Sequence, residues 1–424
     1  MFSLVEDPWI KTASNRRISL LEAFSEESEN SLLGGTPVEK FLAFRLLLAI
    51  AQAAVPLRDE DDWCTLSISK LSKKIRDYLL DHGKQFILDD PDHPFLQFPQ
   101  LKSAKKEPLQ IGGLVLGVSS GNAVVLTDGN MPHPLADADK VYVLLQQVIL
   151  GFGGKKIDKS LCLNPKLKKS ASAPPSTSLG RKGYLHSFVL GNSLLHTVLL
   201  NLMTASQLKT IPYLSEGVGV PPWEKMPAAE DDEIALQLSK SYMGHLIPMS
   251  RFCLIDGQNF YMTSGVTMPT LETGCVDLSM TVSAATDKKG GRIFKAIGAD
   301  VSKQPWRQLD ALLGFMATSK IWDCRQLSEC LLRQSDEEAP RAGVWCVGLQ
   351  VSFNSGEQFL TDSDGFVESE FRIDPDLDGS LFYNRYQNEL NRIKDPLSKC
   401  RFRRHLPELN SFYPTNSVYG LKFA

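Results

Sequence analysis

The chain lacks any Cys-x-x-Cys pair. Its eight cysteines (Cys64, Cys162, Cys253, Cys275, Cys324, Cys330, Cys346 and Cys400) are scattered along 424 residues. That excludes zinc-ribbon and thioredoxin-type sites and reads as isolated reduced thiols. Long apolar runs are also missing. The best candidate, Phe41 to Val55, is short and interrupted by Arg45, which excludes a membrane span. The N-terminus has no basic region, and Glu6, Asp7 and Pro8 follow at once, so no secretory signal is read there. A soluble, cytoplasmic protein is the expectation. Charge of one sign is absent too, with 46 basic and 49 acidic residues giving a net charge of −3. A uniformly basic coat is excluded, so any contact with nucleic acid must come from local patches.

Catalytic patterns are likewise missing. There is no GxSxG, no HExxH, no GxxxxGK[ST] and no Cys/His cluster. The seven histidines (His82, His93, His133, His186, His196, His245 and His405) lie too far apart to form a motif. His93, with no second ligand at metal spacing, reads as structural. The acidic groups Asp59 to Asp62 and Asp362/Asp364 read as solvated loops. No metal, no cofactor and no catalytic residue is predicted, and binding is favoured over catalysis. There is no internal repeat.

What is present is a globular composition, 43% hydrophobic and 22% charged. Trp9 to Lys11 and Arg17 to Leu20 suit short strands around a polar turn. Thr36, Pro37 and Glu39 form the signature of a capped helix start: an N-cap, a first-turn proline and a reciprocal capping-box acid. The helix that follows is apolar almost all round, which predicts a central buried element. A more amphipathic helix is expected from Leu66 to His82, and others over Val141–Leu150, Trp306–Met316, Trp322–Arg333 and Leu381–Lys394. Asp231, Asp232 and Glu233 open a further helix, where acids suit the dipole. Phe188 to Leu202 alternates and then turns helical. Phe252–Thr263 and Val344–Phe353 read as strands.

One segment is anomalous in charge. Gly151, Phe152, Gly153 and Gly154 are followed by Lys155 and Lys156. Residues 155 to 182 hold eight basic side chains (Lys155, Lys156, Lys159, Lys166, Lys168, Lys169, Arg181, Lys182) against one acid, Asp158. Glycines let the backbone approach another surface closely. Basic side chains beside such a loop suit a polyanion, with salt-dependent phosphate contacts, and a bare loop can enter a minor groove. A tight turn next to a solvated basic linker is the equally available reading.

Taken in order, these segments resemble the CasA family, the large subunit of the type I-E CRISPR surveillance complex, Cascade. The resemblance rests on Asp7-Pro8-Trp9-Ile10, His93 to Gln97, Gly117 to Ser120, Gly151 to Gly154, Val198 to Leu202, Pro221 to Glu224, Pro305-Trp306 and Val347 to Leu349. It covers roughly residues 1 to 372. The resemblance implies an α+β fold, with a large mixed N-terminal body over residues 1–372. A short, partly helical basic segment over 373–424 stands in place of a full four-helix bundle. It also implies partners: the guide-RNA ribonucleoprotein, double-stranded target DNA and a helicase-nuclease effector. The family reads the protospacer-adjacent motif (PAM) in duplex DNA and helps to open that duplex.

By the same resemblance, Gly151, Phe152, Gly153, Gly154, Lys155 and Lys156 form the PAM loop. A duplex wedge falls on a hairpin with its turn at Asn354 to Glu357, with Gln358 as the wedge glutamine and Gln350 as second candidate. Lys166, Lys168, Lys169, Arg181, Lys182, Lys288 and Lys289 would hold phosphates. Besides the short C-terminal segment, the chain departs from the family at three places. No lysine occupies Val266 to Met268, where a PAM-contacting lysine finger is expected. Leu126 and Asp128 replace an aromatic residue and an asparagine of an RNA-contacting loop. Cys253 alone remains of a cysteine cluster. The basic, aromatic run Lys399 to His405 suits nucleic-acid or nuclease docking as well as a solvated tail, and no HNH nuclease pattern is visible. A structural adaptor that recruits an effector without reading DNA is the rival function. An enzyme using scattered carboxylates is a distant third.

Overall fold

The central helix shows why the fold organises as it does. In the computed structural model it spans Pro37–Ala54. Thr36 accepts from the Glu39 amide at 3.2 Å, and the Glu39 carboxylate accepts from the Thr36 amide at 2.9 Å. This capping box satisfies two of the amide groups that a helix start leaves orphaned. Its apolar residues are buried on every side, because helices at Ile68–Asp81, Asp137–Leu150, Leu194–Asn201 and Tyr242–Leu246 pack around it, together with the strand Ala342–Leu349. The structure describes residues 1–26, 32–103, 107–116, 134–154, 163, 173–286, 292–302, 305, 312, 322–334, 342–354, 357–360, 365–373, 384, 388–389 and 392.

The fold is α+β. A three-stranded antiparallel sheet places Ala342–Leu349 between Leu185–Leu190 and Phe366–Ile373. Trp345 lies opposite Phe188, and Phe44 of the central helix meets both rings edge-on, at 5.5 and 4.9 Å. A second sheet pairs Asn259–Ser264 with Arg251–Asp256 and with Leu109–Gln110. A third sets Val282–Thr286 between Arg292–Ala296 and Trp322–Asp323. At the N-terminus, Ile10–Lys11 pairs with Arg17–Ile18 as the sequence suggests. Lys11 reaches Glu39 at 2.8 Å and Arg17 reaches Asp139 at 2.7 Å, which pins this ribbon to two helices.

The one charge in the middle of the central helix is buried and paired. Arg45 grips Asp277 bidentately, at 2.8 and 3.1 Å, and donates to the carbonyls of His245 and Leu246. Asp277 in turn accepts from the amide and hydroxyl of Ser279. His186 closes the network, with Nδ1 2.8 Å from the Ser279 hydroxyl and Nε2 2.7 Å from the Ser178 carbonyl. Burial pushes both His186 and His245 down to about 4. For Asp277 burial acts the other way, but Arg45 and His186 outweigh it and hold the carboxyl well below the usual range.

Several expectations need correction. The acidic stretch after Arg58 is not a loop: Glu60–Cys64 forms a helical turn capped by the Asp59 side chain, and Arg58 grips Asp62 at 2.7 Å. The strand expected over Val344–Phe353 breaks at Gln350 and Val351, where the chain leaves the sheet to start a hairpin. Phe252–Thr263 is two strands joined at Gly257 and Gln258. Trp322 and Asp323 are a short strand, and the helix begins at Arg325. The helices expected over Trp306–Met316 and Leu381–Lys394 fall almost wholly outside the described residues, as does the run Lys399 to His405. His93 is exposed, and its backbone amide donates to Asp90 at 2.7 Å.

The neutral histidines make stability depend on pH. Between about 6.5 and about 4 the unfolded chain binds protons that folded His186 and His245 refuse, so folding free energy falls as pH drops through that window. Each contributes on the order of 1–3 kcal/mol. Glu230, pushed up to about 7 by burial, titrates with the opposite sign and offsets part of the slope. Calorimetric melting from pH 7 to pH 4 should show a falling midpoint, and His186→Gln should flatten the curve. A slope unchanged in that variant would refute the assignment.

Candidate nucleic-acid interface

The glycine loop begins where a helix ends. Asp137–Leu150 carries Asp137 and Asp139 in its first turn, and its C-cap is Gly151. From there the chain runs extended between two partners. On one side Gly154 bridges Ala173, its amide donating to the Ala173 carbonyl at 2.9 Å. On the other lies a short hairpin, Ser352–Asn354 against Glu357–Phe359, in which Asn354 pairs with Glu357 and Phe353 with Gln358. A two-residue connection is what that register demands. The loop therefore lies like an inner strand between the hairpin and Ala173.

Gln358 makes the junction. Its backbone amide donates to the Gly153 carbonyl at 2.9 Å. Its side-chain oxygen accepts from the Gly153 amide at 2.8 Å, and its Nε2 donates to the carbonyls of Gly180 and Arg181 at 2.6 and 3.0 Å. Only 6% of the residue is exposed. The expectation of a projecting wedge glutamine is therefore corrected: the Gln358 amide is buried and fully engaged inside the protein. Gln350 is engaged as well, accepting from the Val301 amide at 2.7 Å. At the hairpin tip Asn354 is exposed. The Arg181 guanidinium lies 4.7 Å over the half-exposed Phe353 ring, and Phe359 is exposed on the opposite face of the hairpin.

The glycines also need correction. Gly151, Gly153 and Gly154 are buried, and Phe152 is half-buried. A Cβ on Gly151 would stand 2.8 Å from the Gln147 carbonyl oxygen, and one on Gly153 would stand 3.0 Å from the Pro175 nitrogen. Gly154 has φ +146° and faces the Glu357 side chain, with 3.2 Å to its Cγ. The bare backbone thus serves the packing of the loop on its own chain. Of the three contacts only the Glu357 side chain is flexible enough to yield to an incoming surface.

Beside this junction Arg181 and Lys182 are exposed, and the Lys182 carbonyl accepts from the Val351 amide at the root of the hairpin. Lys155, Lys156, Lys166, Lys168, Lys169, Lys288 and Lys289 lie outside the described residues, as do Leu126 and Asp128. Where a lysine finger is expected, Val266 is buried and the Thr267 amide donates to the carbonyl of Glu230. Among the described residues no cluster of His, Cys, Asp and Glu could hold a metal ion, and no helix is long and apolar enough to cross a membrane. The six cysteines among them are free, and burial pushes the Cys346 thiol up to about 12.

Sequence reasoning missed Arg251. It is 2% exposed and lies beneath the loop, donating to the carbonyls of Ser250 at 2.5 Å, Gly151 at 3.4 Å, Pro174 at 2.8 Å and Phe152. The available signal was an arginine at the head of the apolar stretch Phe252 to Leu254.

A family model described as CRISPR-associated protein Cse1 matches residues 3–393. A curated relative, CRISPR-associated protein CasA/Cse1 of Thermus thermophilus, is 28% identical over 239 residues, 53% of this chain and 42% of that protein. The matched region thus spans less than half of that relative's length. Among solved structures, Thermobifida fusca Cse1 superposes with a TM-score of 0.69 at 20% identity, covering 88% of this chain and 73% of the other. A chain of a structure titled CRISPR RNA-guided surveillance complex gives 0.63 at 18% identity, covering 88% and 75%. Thermus thermophilus CasA gives 0.60 at 20% identity, covering 88% and 72%.

The junction predicts a local effect that needs no ligand. Gln358→Ala removes the side-chain partners of the Gly153 amide and of two carbonyls, a loss of about 1–3 kcal/mol. Hydrogen exchange of peptides covering 151–154 should accelerate at least tenfold in the free protein. Unchanged exchange would show that the amide does not hold the loop.

Proposed function

Because the chain belongs to the CRISPR-associated protein Cse1 family, we propose that it is the non-catalytic large subunit of an RNA-guided surveillance complex. In this reading it recognises the PAM in double-stranded DNA, helps open the duplex for guide pairing, and recruits a helicase-nuclease. One observation carries the reading: Gln358 ties the glycine loop and the hairpin into a single unit, beside the exposed cations Arg181 and Lys182. A reader of the motif and an opener of the duplex must act at adjacent steps of one DNA molecule, so a shared rigid mount suits the task. Strand exchange is nearly balanced in free energy, so a few protein contacts at its start can tip it.

In this reading the labour is divided among named residues. Phe152, with Lys155 and Lys156, forms the surface offered to the motif on the mount made by Gly151, Gly153 and Gly154, and Glu357 must swing aside from Gly154 for a groove to seat there. Asn354 at the tip leads the hairpin into the duplex while Gln358 anchors its root. Lys166, Lys168, Lys169, Arg181, Lys182, Lys288 and Lys289 contact phosphates. Residues 1–372 form the reading body, and the basic segment 373–424 supplies the docking surface for the effector. The protein works in the cytoplasm with guide RNA and the other subunits, and needs no cofactor or metal of its own.

A second reading, the structural adaptor that does not read sequence, is favoured by Glu357 over Gly154 and by the acid Glu230 near the missing lysine finger. The two are separated by binding the assembled guide-RNA complex, with and without this chain, to duplexes with a randomised motif. Enrichment that requires the chain supports motif reading, and tight binding without enrichment supports the adaptor. Replacing both Arg181 and Lys182 by alanine should weaken duplex binding. It should also lower the slope of log affinity against log salt by about two. A slope equal to wild type would remove these residues from the phosphate contacts.

A further inference from the structure

Arg251 is a buried guanidinium that meets no anion among the described residues. Among the described residues it forms no ion pair, and all its bonded partners are backbone carbonyls. Its Nε is buried with no hydrogen-bond partner. The contrast with Arg45 is direct, since that equally buried arginine meets Asp277 at 2.8 Å. Burying a charge without its counter-charge costs several kcal/mol, and an apolar side chain of similar size would serve packing better. Burial pushes Arg251 down to about 10, which still leaves it charged at neutral pH. Three of its four carbonyl partners belong to the glycine loop and to Pro174, where the chain returns beside it.

We propose that Arg251 is a positioning residue for a phosphodiester: it fixes the glycine loop by its carbonyls, and its uncompensated charge is balanced when nucleic-acid backbone lies across that loop. This rests on the nucleic-acid reading above and adds to it a buried source of the charge. Arginine suits the role better than lysine, because a planar fork reaches several carbonyls at once. The phosphodiester could belong to target DNA or to guide RNA. The two sources are distinguished by measuring assembly onto the guide-RNA complex separately from binding of a duplex.

The test uses the full chain in the assembled complex, with Arg251→Met and Arg251→Lys, at 50 and 200 mM salt. Arg251→Met should weaken binding about tenfold at 50 mM, with the deficit shrinking about threefold at 200 mM, as expected when about one charge is lost. Arg251→Lys should bind more weakly than wild type but with the wild-type salt slope, because it keeps the charge and loses the fork. Free Arg251→Met should melt lower than wild type because four carbonyls lose their donor, but that loss alone produces no salt-dependent binding deficit. If the deficit appears only in assembly, the phosphodiester is that of the RNA; if only in duplex binding, that of the DNA. A deficit in Arg251→Met that does not change with salt, or no deficit at either step, would overturn the proposal. Failure of the motif-reading function itself would show differently, as absence of motif enrichment in the wild-type complex.

Discussion

The pair between Arg45 and Asp277 is the constraint on which the rest of the structure depends. A helix buried on all sides can be apolar throughout, yet this one carries a guanidinium at its middle. That charge tolerates burial only because Asp277, two serines and the carbonyls of His245 and Leu246 converge on it. Those partners come from different parts of the chain. The requirement to satisfy one arginine therefore fixes the 245–247 turn, the 277–279 segment and the Ser178 region in register with the central helix. Ser178 lies two residues beyond Ser176, whose amide donates to the Gly151 carbonyl, so the scaffold of the core and the mount of the loop share one stretch of chain.

The glycine loop inverts a simple expectation. Small residues next to a basic run invite the reading that the backbone is bared for a ligand. Here the space is filled from within, by Gln147, Pro175 and the side chain of Glu357. The loop is built as an internal strand, held by Gln358 on one edge and Arg251 beneath. Its value to a binding surface is rigidity. What a partner meets first is the rim: Phe152, the hairpin tip at Asn354, and the cations Arg181 and Lys182.

Much of the fold was legible because its signals are local. Thr36, Pro37 and Glu39 announce a helix start with three residues, and the apolar run after them announces burial. The hairpin, by contrast, was placed through the family resemblance, and Asn354 does pair with Glu357. The wedge glutamine misled, because a glutamine next to a turn carries no mark of which face it occupies. Its inward placement is set by distant backbone, the Gly153 amide and the carbonyls of Gly180 and Arg181, which local sequence does not show. Arg45 and Arg251 look alike in sequence, each a lone charge by an apolar run. One is paired and one is not, and that difference arises from residues hundreds of positions away or from none. The acidic stretch after Arg58 was read as a loop because acids are soluble, yet Asp59 is also an N-cap and turns the same residues into a helix.

The bridge between Gly154 and Ala173 has an evolutionary reading. It brings together the two ends of the lysine-rich stretch 155–172. The cost of closing such a loop grows only with the logarithm of its length, about 0.6 kcal/mol per doubling. Closure at Gly154 and Ala173 therefore depends only weakly on the length of the stretch between them. The site is thus modular: a lineage can retune its grip on a polyanion by rewriting one tethered passage, while the mount that aims it stays the same.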